Sequence, residues 1–438
     1  MLPSTSSALL ALSARAQRDG RCPSLVAAVV RDGAVVWSAG RGAVDEPHAD
    51  VQYRLGSITK TITAVAVMRL RDAGVLGLDD PLDRHLPGTP LGDRTVGQLL
   101  AHLSGAGSES PGSWWERAPG TSLEGLALTG ADVVLPAARR FHYSNLGYGL
   151  LGELVARARG RDWADVVRDE VLLPLGMTRT TPRPSGRAAA GFAVHPWADV
   201  VLPEPEHDAV VMAPAGQLWS TATDLGRLGA LLLGDTGDVL DPGTVEEMTV
   251  PAGVDPSAAG WSAYGLGVQV QRSDAGPVLV GHGGSMPGFL AGLWADREDG
   301  TAALALANTT AGLDGGLPGA LIAEVREREP RVVEPWTPSE PPVPLELLGP
   351  WFWGPMPYVL RAVPGGLLHL GGLGRPGRTS RFRPGPDGTW VGLDGYFAGE
   401  TLRLDGTALD LATFVLTRTP YDPAAPVPGG VDESGWRG

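Results

Sequence analysis

Strand-forming segments open and close the first 330 or so residues of this chain, and helical pattern fills the space between them. Residues 24–31 and 34–39 are apolar, β-rich runs joined by Asp32-Gly33, a pair suited to a tight hairpin. Residues 265–272, 278–281, 289–296 and 301–308 form a second group, separated by turn residues as an antiparallel meander requires. Between the groups, Ile58, Ile62, Val65, Ala66 and Arg69 follow helical spacing until Gly74. Further helices are expected at 95–103, 147–159, 162–173 and 223–233, the last with Thr221 or Thr223 as N-cap. Residues 317–329 read as a helix returning to the sheet, and Leu9, Leu10, Leu12 and Ala16 suit one side of a first helix. A sheet built from both ends of a chain predicts an α+β fold: an antiparallel sheet flanked by helices, with an inserted helical lobe.

The pattern changes after residue 333. Residues 334–344 hold five prolines and read as a stiff linker. Residues 345–438 carry seven short β segments between Gly, Pro and Asp turns, which predicts a small C-terminal antiparallel β-barrel. The expected division is therefore 1–333, a linker at 334–344, and 345–438.

The chain has 438 residues and a formal net charge of −14. So acidic a body is repelled by polyphosphate and by anionic lipid, so neither nucleic acid nor membrane is an expected partner. A single cysteine, Cys22, allows no internal disulfide and no thiolate metal cluster. Arg15 and Arg18 follow the short apolar stretch near the start, the wrong order for a secretory signal, so a cytoplasmic location is expected.

Three short segments can carry chemistry. Of 35 basic residues only Lys60 is a lysine, and it stands three places after Ser57 in Gly56-Ser57-Ile58-Thr59-Lys60. On a helix those two side chains share a face. A serine hydroxyl is a poor nucleophile until a neighbour takes its proton, and a buried amine can do so where an arginine cannot. The bland alternative is a capping serine beside a surface lysine. The second segment is His142-Tyr143-Ser144-Asn145. A phenol beside a cationic lysine can lose its proton near neutral pH and act as a base, and Asn145 can hold the lysine or a substrate amide. The third is Gly281-His282-Gly283-Gly284-Ser285, at the end of the 278–281 strand, where glycines let a substrate backbone approach or simply form a turn. Trp114, Trp115 and Trp219 could line a pocket or fill a core.

Ser-x-x-Lys, Tyr-x-Asn and His-Gly-Gly in that order resemble the penicillin-recognising serine hydrolases: class C β-lactamases, DD-peptidases and D-aminopeptidases. Residues 99–105, 173–177, 214–221 and Gly288-Phe289 are also similar to that family, and the likeness spans roughly 20–330. Residues 345–438 look like the lipocalin-like barrel appended to some members. The resemblance implies a β-lactamase/transpeptidase-like fold and acyl transfer without cofactor or metal. Ser57 would form the acyl-enzyme, while Lys60 and Tyr143 share the proton work. The backbone N–H groups of Ser57 and Ser285 would form the oxyanion hole, with Asn145, His282, Gly283 and Gly284 beside the substrate. Arg418 is a candidate for meeting a substrate carboxylate, since the third segment has His282 where β-lactamases carry lysine.

The function expected is that of a serine hydrolase acting on an ester or amide, as an esterase, amidase or D-stereospecific peptidase. Its substrate would be a small molecule or a peptide, including one with D-residues. One alternative is a penicillin-binding-protein-type thioesterase that cyclises a nonribosomal peptide. Another is a non-catalytic binding protein that retains the fold. The chain lacks the G-x-S-x-G elbow, the H-E-x-x-H zinc signature and the glycine fingerprints of nucleotide sites.

Overall fold

A computed structural model describes residues 1–256, 258, 260–272, 276–332, 335, 343–374 and 377–421. The chain divides into two compact units, Met1–Val332 and Val333–Gly438.

The first unit is built on an eight-stranded antiparallel sheet assembled from both ends of its sequence. Its order runs from Ala34–Gly42 through Ser24–Arg31 to Thr301–Ala307, Phe289–Asp296 and Val278–Met286. It ends with Gln269–Arg272, Trp261–Tyr264 and Gly253–Val254. The Ser24–Arg31 strand is buried along nearly its whole length because it serves two cores in alternation. Val26, Ala28 and Val30 face the helical lobe. Leu25, Ala27 and Val29 face the other way, sharing a core with Leu9, Leu321 and Val325 from the Pro3–Asp19 and Leu317–Arg328 helices. In the first helix Leu9 is buried, whereas Leu10, expected on the same side, is exposed.

Two strands differ from the expected pattern. The run 265–272 breaks at Gly265-Leu266-Gly267, and only Gln269–Arg272 stays in the sheet. A Cβ on Gly267 would lie 2.1 Å from Ala64 Cβ, so this turn closes against the Ile58–Asp72 helix. The strand expected to end at residue 281 continues to Met286. The His-Gly-Gly segment is therefore strand interior, not a turn. The Asn145–Arg159 helix starts two residues earlier than expected, capped by Ser144, whose Oγ accepts from Gly147 N at 2.9 Å. Thr221 caps the Ala222–Leu233 helix by accepting from Asp224 N.

In the second unit eight strands pair in sequence order from Gly349–Trp353 to Phe414–Leu416. Phe352 and Thr417 exchange backbone hydrogen bonds of 2.7 and 2.9 Å, which brings the last strand back beside the first. The expected segment 408–417 is two strands, Ala408–Leu411 and Phe414–Leu416, joined through Ala412 at a φ of 56°. Most of the expected linker, and the tail 422–438, lie outside the described residues.

Candidate active site

The Ile58–Asp72 helix begins at Ser57, and Ser57 does not use its hydroxyl as a cap. Its Oγ lies 2.9 Å from Lys60 Nζ, which also donates to Ala215 O at 2.7 Å. Lys60 is wholly buried. The capping serine and surface lysine of the bland alternative are both absent. Burial pulls the Lys60 ammonium down from its ordinary value to about 7, against the opposing pull of Glu109 and Glu116. Near neutral pH a large fraction of Lys60 is therefore a free amine.

Tyr143 lies beside this pair. Lys60 Nζ is 4.9 Å from the centre of its ring, and Tyr143 and Ser57 line the same cleft. Burial pushes the Tyr143 phenol above its usual value, against the opposing influence of the Ser57 side chain. That direction is opposite to the easier loss of the phenol proton expected beside a cationic lysine.

The wall opposite is the Val278–Met286 strand. It approaches so closely that a Cβ on Gly284 would lie 1.9 Å from Leu55 O, and one on Gly56 would lie 2.4 Å from Ser285 N. Gly56 also has a φ of 55°, a left-handed conformation that favours glycine. These contacts bring the Ser57 and Ser285 backbone amides together. Gly283 faces open space and accepts no such constraint. Ser57, Tyr143, His282, Gly283, Gly284 and Ser285 line one open cleft of about 510 Å³.

His282 is buried, with both ring nitrogens engaged by protein: Nε2 lies 2.9 Å from Tyr264 Oη and Nδ1 lies 2.5 Å from Gly283 O. Burial, and the nearby Lys60, lower it to about 3, so its contribution to the cleft is a neutral wall. Asn145 turns its amide to Glu109, donating to both carboxylate oxygens at 2.8 and 3.0 Å. Trp115 Nε1 donates to the same carboxylate at 2.6 Å. Glu109 is the residue that sequence reasoning missed. A loop carboxylate carries no periodic signal that would mark it in a sequence.

Arg418 belongs to the second unit. Its Nη1 donates to Leu348 O and Pro350 O, its Nη2 donates to Glu346 O, and its guanidinium stacks 3.6 Å from the Trp351 ring centre. Those donors serve the barrel's own backbone, not a free carboxylate-binding fork. Trp115 and Trp219 are buried, and Trp114 is exposed with its Nε1 donating to Glu116 at 2.9 Å. The cleft walls contain none of these three indoles.

An antiparallel sheet, a helix starting at Ser57, and a buried lysine one turn on define the β-lactamase-fold serine hydrolases as the class. A family model described as Beta-lactamase matches residues 10–327, and the chain belongs to that family. A second, described as a domain of unknown function (DUF7586), matches residues 340–418. The esterase EstB of Burkholderia gladioli is 30% identical, over 70% of this chain and 91% of its own length. Human putative beta-lactamase-like 1 is 32% identical over 54% of this chain and 51% of its own length. The chain spans about half the length of the curated relatives it matches first. Among solved structures, a D-stereospecific amidohydrolase from Streptomyces is 26% identical with a TM-score of 0.62. It covers 75% of this chain and 99% of its own. SurE, also 26% identical with a TM-score of 0.61, covers 95% of this chain and 99% of its own, and has a further structure with D-Leu. Among the described residues no helix is long and apolar enough to cross a membrane.

Proposed function

We propose that this chain is a serine amidase or esterase that acts through an acyl-Ser57 intermediate on substrates whose acyl half is a D-configured residue with a free amine. The wholly buried Lys60 amine, 2.9 Å from Ser57 Oγ, is the observation that carries the reading. Neutral Lys60 takes the Ser57 proton as Oγ attacks the carbonyl carbon. The oxygen that becomes negative is met by the Ser57 and Ser285 N–H groups, each contributing roughly a few kcal/mol. The Tyr143 hydroxyl passes a proton to the leaving nitrogen or oxygen and is reprotonated by the Lys60 ammonium, which becomes a free amine again. Water then attacks the acyl carbon and gives a proton to Lys60, which hands it to Ser57 Oγ as the acyl bond breaks.

Glu109 supports the free amine. Its carboxylate is fixed by Asn145 and Trp115 and acts through its charge on Lys60 and Tyr143, a field that attracts an ammonium and repels a carboxylate. The D-configuration rests on two similar solved structures, a D-stereospecific amidohydrolase and SurE with D-Leu. The test is a set of four p-nitroanilides: D-Leu, L-Leu and the N-acetyl form of each. The expected result is fastest turnover of free D-Leu p-nitroanilide, and a Glu109→Gln variant that loses this preference over the N-acetyl form. Faster turnover of the acetylated compounds would overturn the amine assignment, and no turnover of any ester or amide would overturn the reading as a whole.

A further inference from the structure

We propose that His102 is a positioning residue for Tyr143, gripping the backbone on both sides of it and supporting its ring. The proposal rests on the reading of Tyr143 as a group that handles protons in the reaction.

His102 lies in residues 99–105, a stretch with no chemistry of its own in the cleft. It is almost completely buried and has a φ of 56°, a left-handed conformation uncommon outside glycine that histidine, asparagine and aspartate adopt more readily than other side chains. This conformation lets one residue offer two acceptors to one neighbouring segment. Its carbonyl oxygen accepts from His142 N at 2.9 Å, and its Nδ1 accepts from Ser144 N at 3.0 Å. The residue between those two amides is Tyr143. Its ring centre lies 4.3 Å from that of His102, tilted by 36°. On its other sides the His102 ring meets Tyr264 at 4.5 Å and Tyr148 at 5.1 Å.

The hydrogen-bond directions fix the tautomer. A backbone N–H can only donate, so Nδ1 carries no proton and the neutral ring carries its proton on Nε2. Nε2 has no hydrogen-bond partner, and the three phenol rings surround the imidazole that carries it. Burial, with Lys60, His282 and His142 nearby, holds His102 well below its ordinary value and so keeps Nδ1 an acceptor. Ser144 extends the grip: its Oγ donates to Gly107 O at 2.6 Å and caps the following helix. Tyr143 is thus held by its flanking amides and its ring face, beside Lys60 and in the wall of the cleft that Ser57 also lines.

Asparagine is the informative replacement. Its Oδ1 sits where Nδ1 does, and it tolerates the left-handed conformation better than other side chains. Phenylalanine keeps a ring but offers no acceptor, leaving the Ser144 N–H buried and unpaired. The measurement is the second-order rate of Ser57 labelling by a fluorophosphonate, with kcat and KM for p-nitrophenyl butyrate. Folding is checked by near-ultraviolet circular dichroism. A displacement of about 1 Å in a reacting group costs on the order of 10²-fold, so His102→Phe should label Ser57 about that much more slowly. The loss should fall on kcat, with KM little changed. His102→Asn should recover to within about tenfold of wild type, a loss of about 1.4 kcal/mol or less. Wild-type rates in His102→Phe, or a folded His102→Asn as slow as His102→Phe, would overturn the proposal. If both variants fail to fold, ¹⁵N-detected NMR of the wild-type imidazole decides. The expected signal is a protonated Nε2 and a bare Nδ1 at neutral pH, and a protonated Nδ1 would overturn the assignment. Failure of the wild type itself to label at Ser57 would contradict the proposed function, a different outcome from any of these.

Discussion

Lys60 sits where an ammonium is poorly solvated, and that single placement makes several outcomes predictable. A guanidinium cannot give up its charge, so Lys60→Arg should lose at least ~10³-fold in kcat even where it folds. Because the reactive form is the free amine, kcat/KM should rise with pH through about 7 and level off above it. A profile flat from pH 5 to 9 would remove Lys60 from the proton work. Stability follows the same shift. Between about 7 and 10.5 the unfolded chain holds a proton on this lysine that the folded chain does not, so its contribution to stability rises with pH across that window. Lys60→Met should therefore raise Tm near pH 6 while abolishing activity. His282 works at the acid end. Its folded value of about 3 lies below the ordinary 6.5, so folding loses stability as pH falls through that interval. Ser57, Lys60 and Tyr143 were legible because their spacing is set by one helix and one short segment. Glu109 was not, since only the folded loop brings it to Asn145. Burial, invisible in a motif, raises the Tyr143 phenol although an amine stands beside its ring.

The element that shapes the cleft is the Val278–Met286 strand, and its glycines are not equivalent. Gly284 packs against Leu55 O with no room for a Cβ, whereas a Cβ on Gly283 would meet nothing within 4 Å. Gly284→Ala should push the strand from the Ser57 turn and lower kcat by on the order of 10²-fold. Gly283→Ala should fold with an unchanged Tm. Equal effects of the two would show that close packing does not hold the Ser57 and Ser285 amides in place. Glycine in a sequence reads first as a turn, which is why this strand looked shorter than it is. The opposite error occurred in the barrel, where Ala412 takes a left-handed turn without the glycine that would announce it. Regular helices fared better: the Ile58–Asp72 and Ala222–Leu233 elements carry apolar spacing and, in the second, a capping threonine. Thr221→Ala should cost about 1 kcal/mol in urea unfolding, with activity retained.

The whole molecule places the residues of the proposed reaction in one of its two units. Ser57, Lys60, Tyr143 and Ser285 all lie within Met1–Val332, and the C-terminal barrel has a separate core around Trp351, Phe382 and Leu402. A chain ending at Val332 should therefore fold and hydrolyse p-nitrophenyl butyrate within about tenfold of the full chain. Loss of the fold would show that the second unit supports the first. The central claim is that Ser57 is a nucleophile activated by a buried amine, and intact-mass analysis of the full chain after fluorophosphonate treatment tests it most directly. One adduct per chain, mapped to the peptide containing Ser57 and absent from both Ser57→Ala and Lys60→Arg, is the predicted result. Labelling of Ser57→Ala to the same extent as wild type, or no labelling of the folded wild type at pH 8, would contradict it.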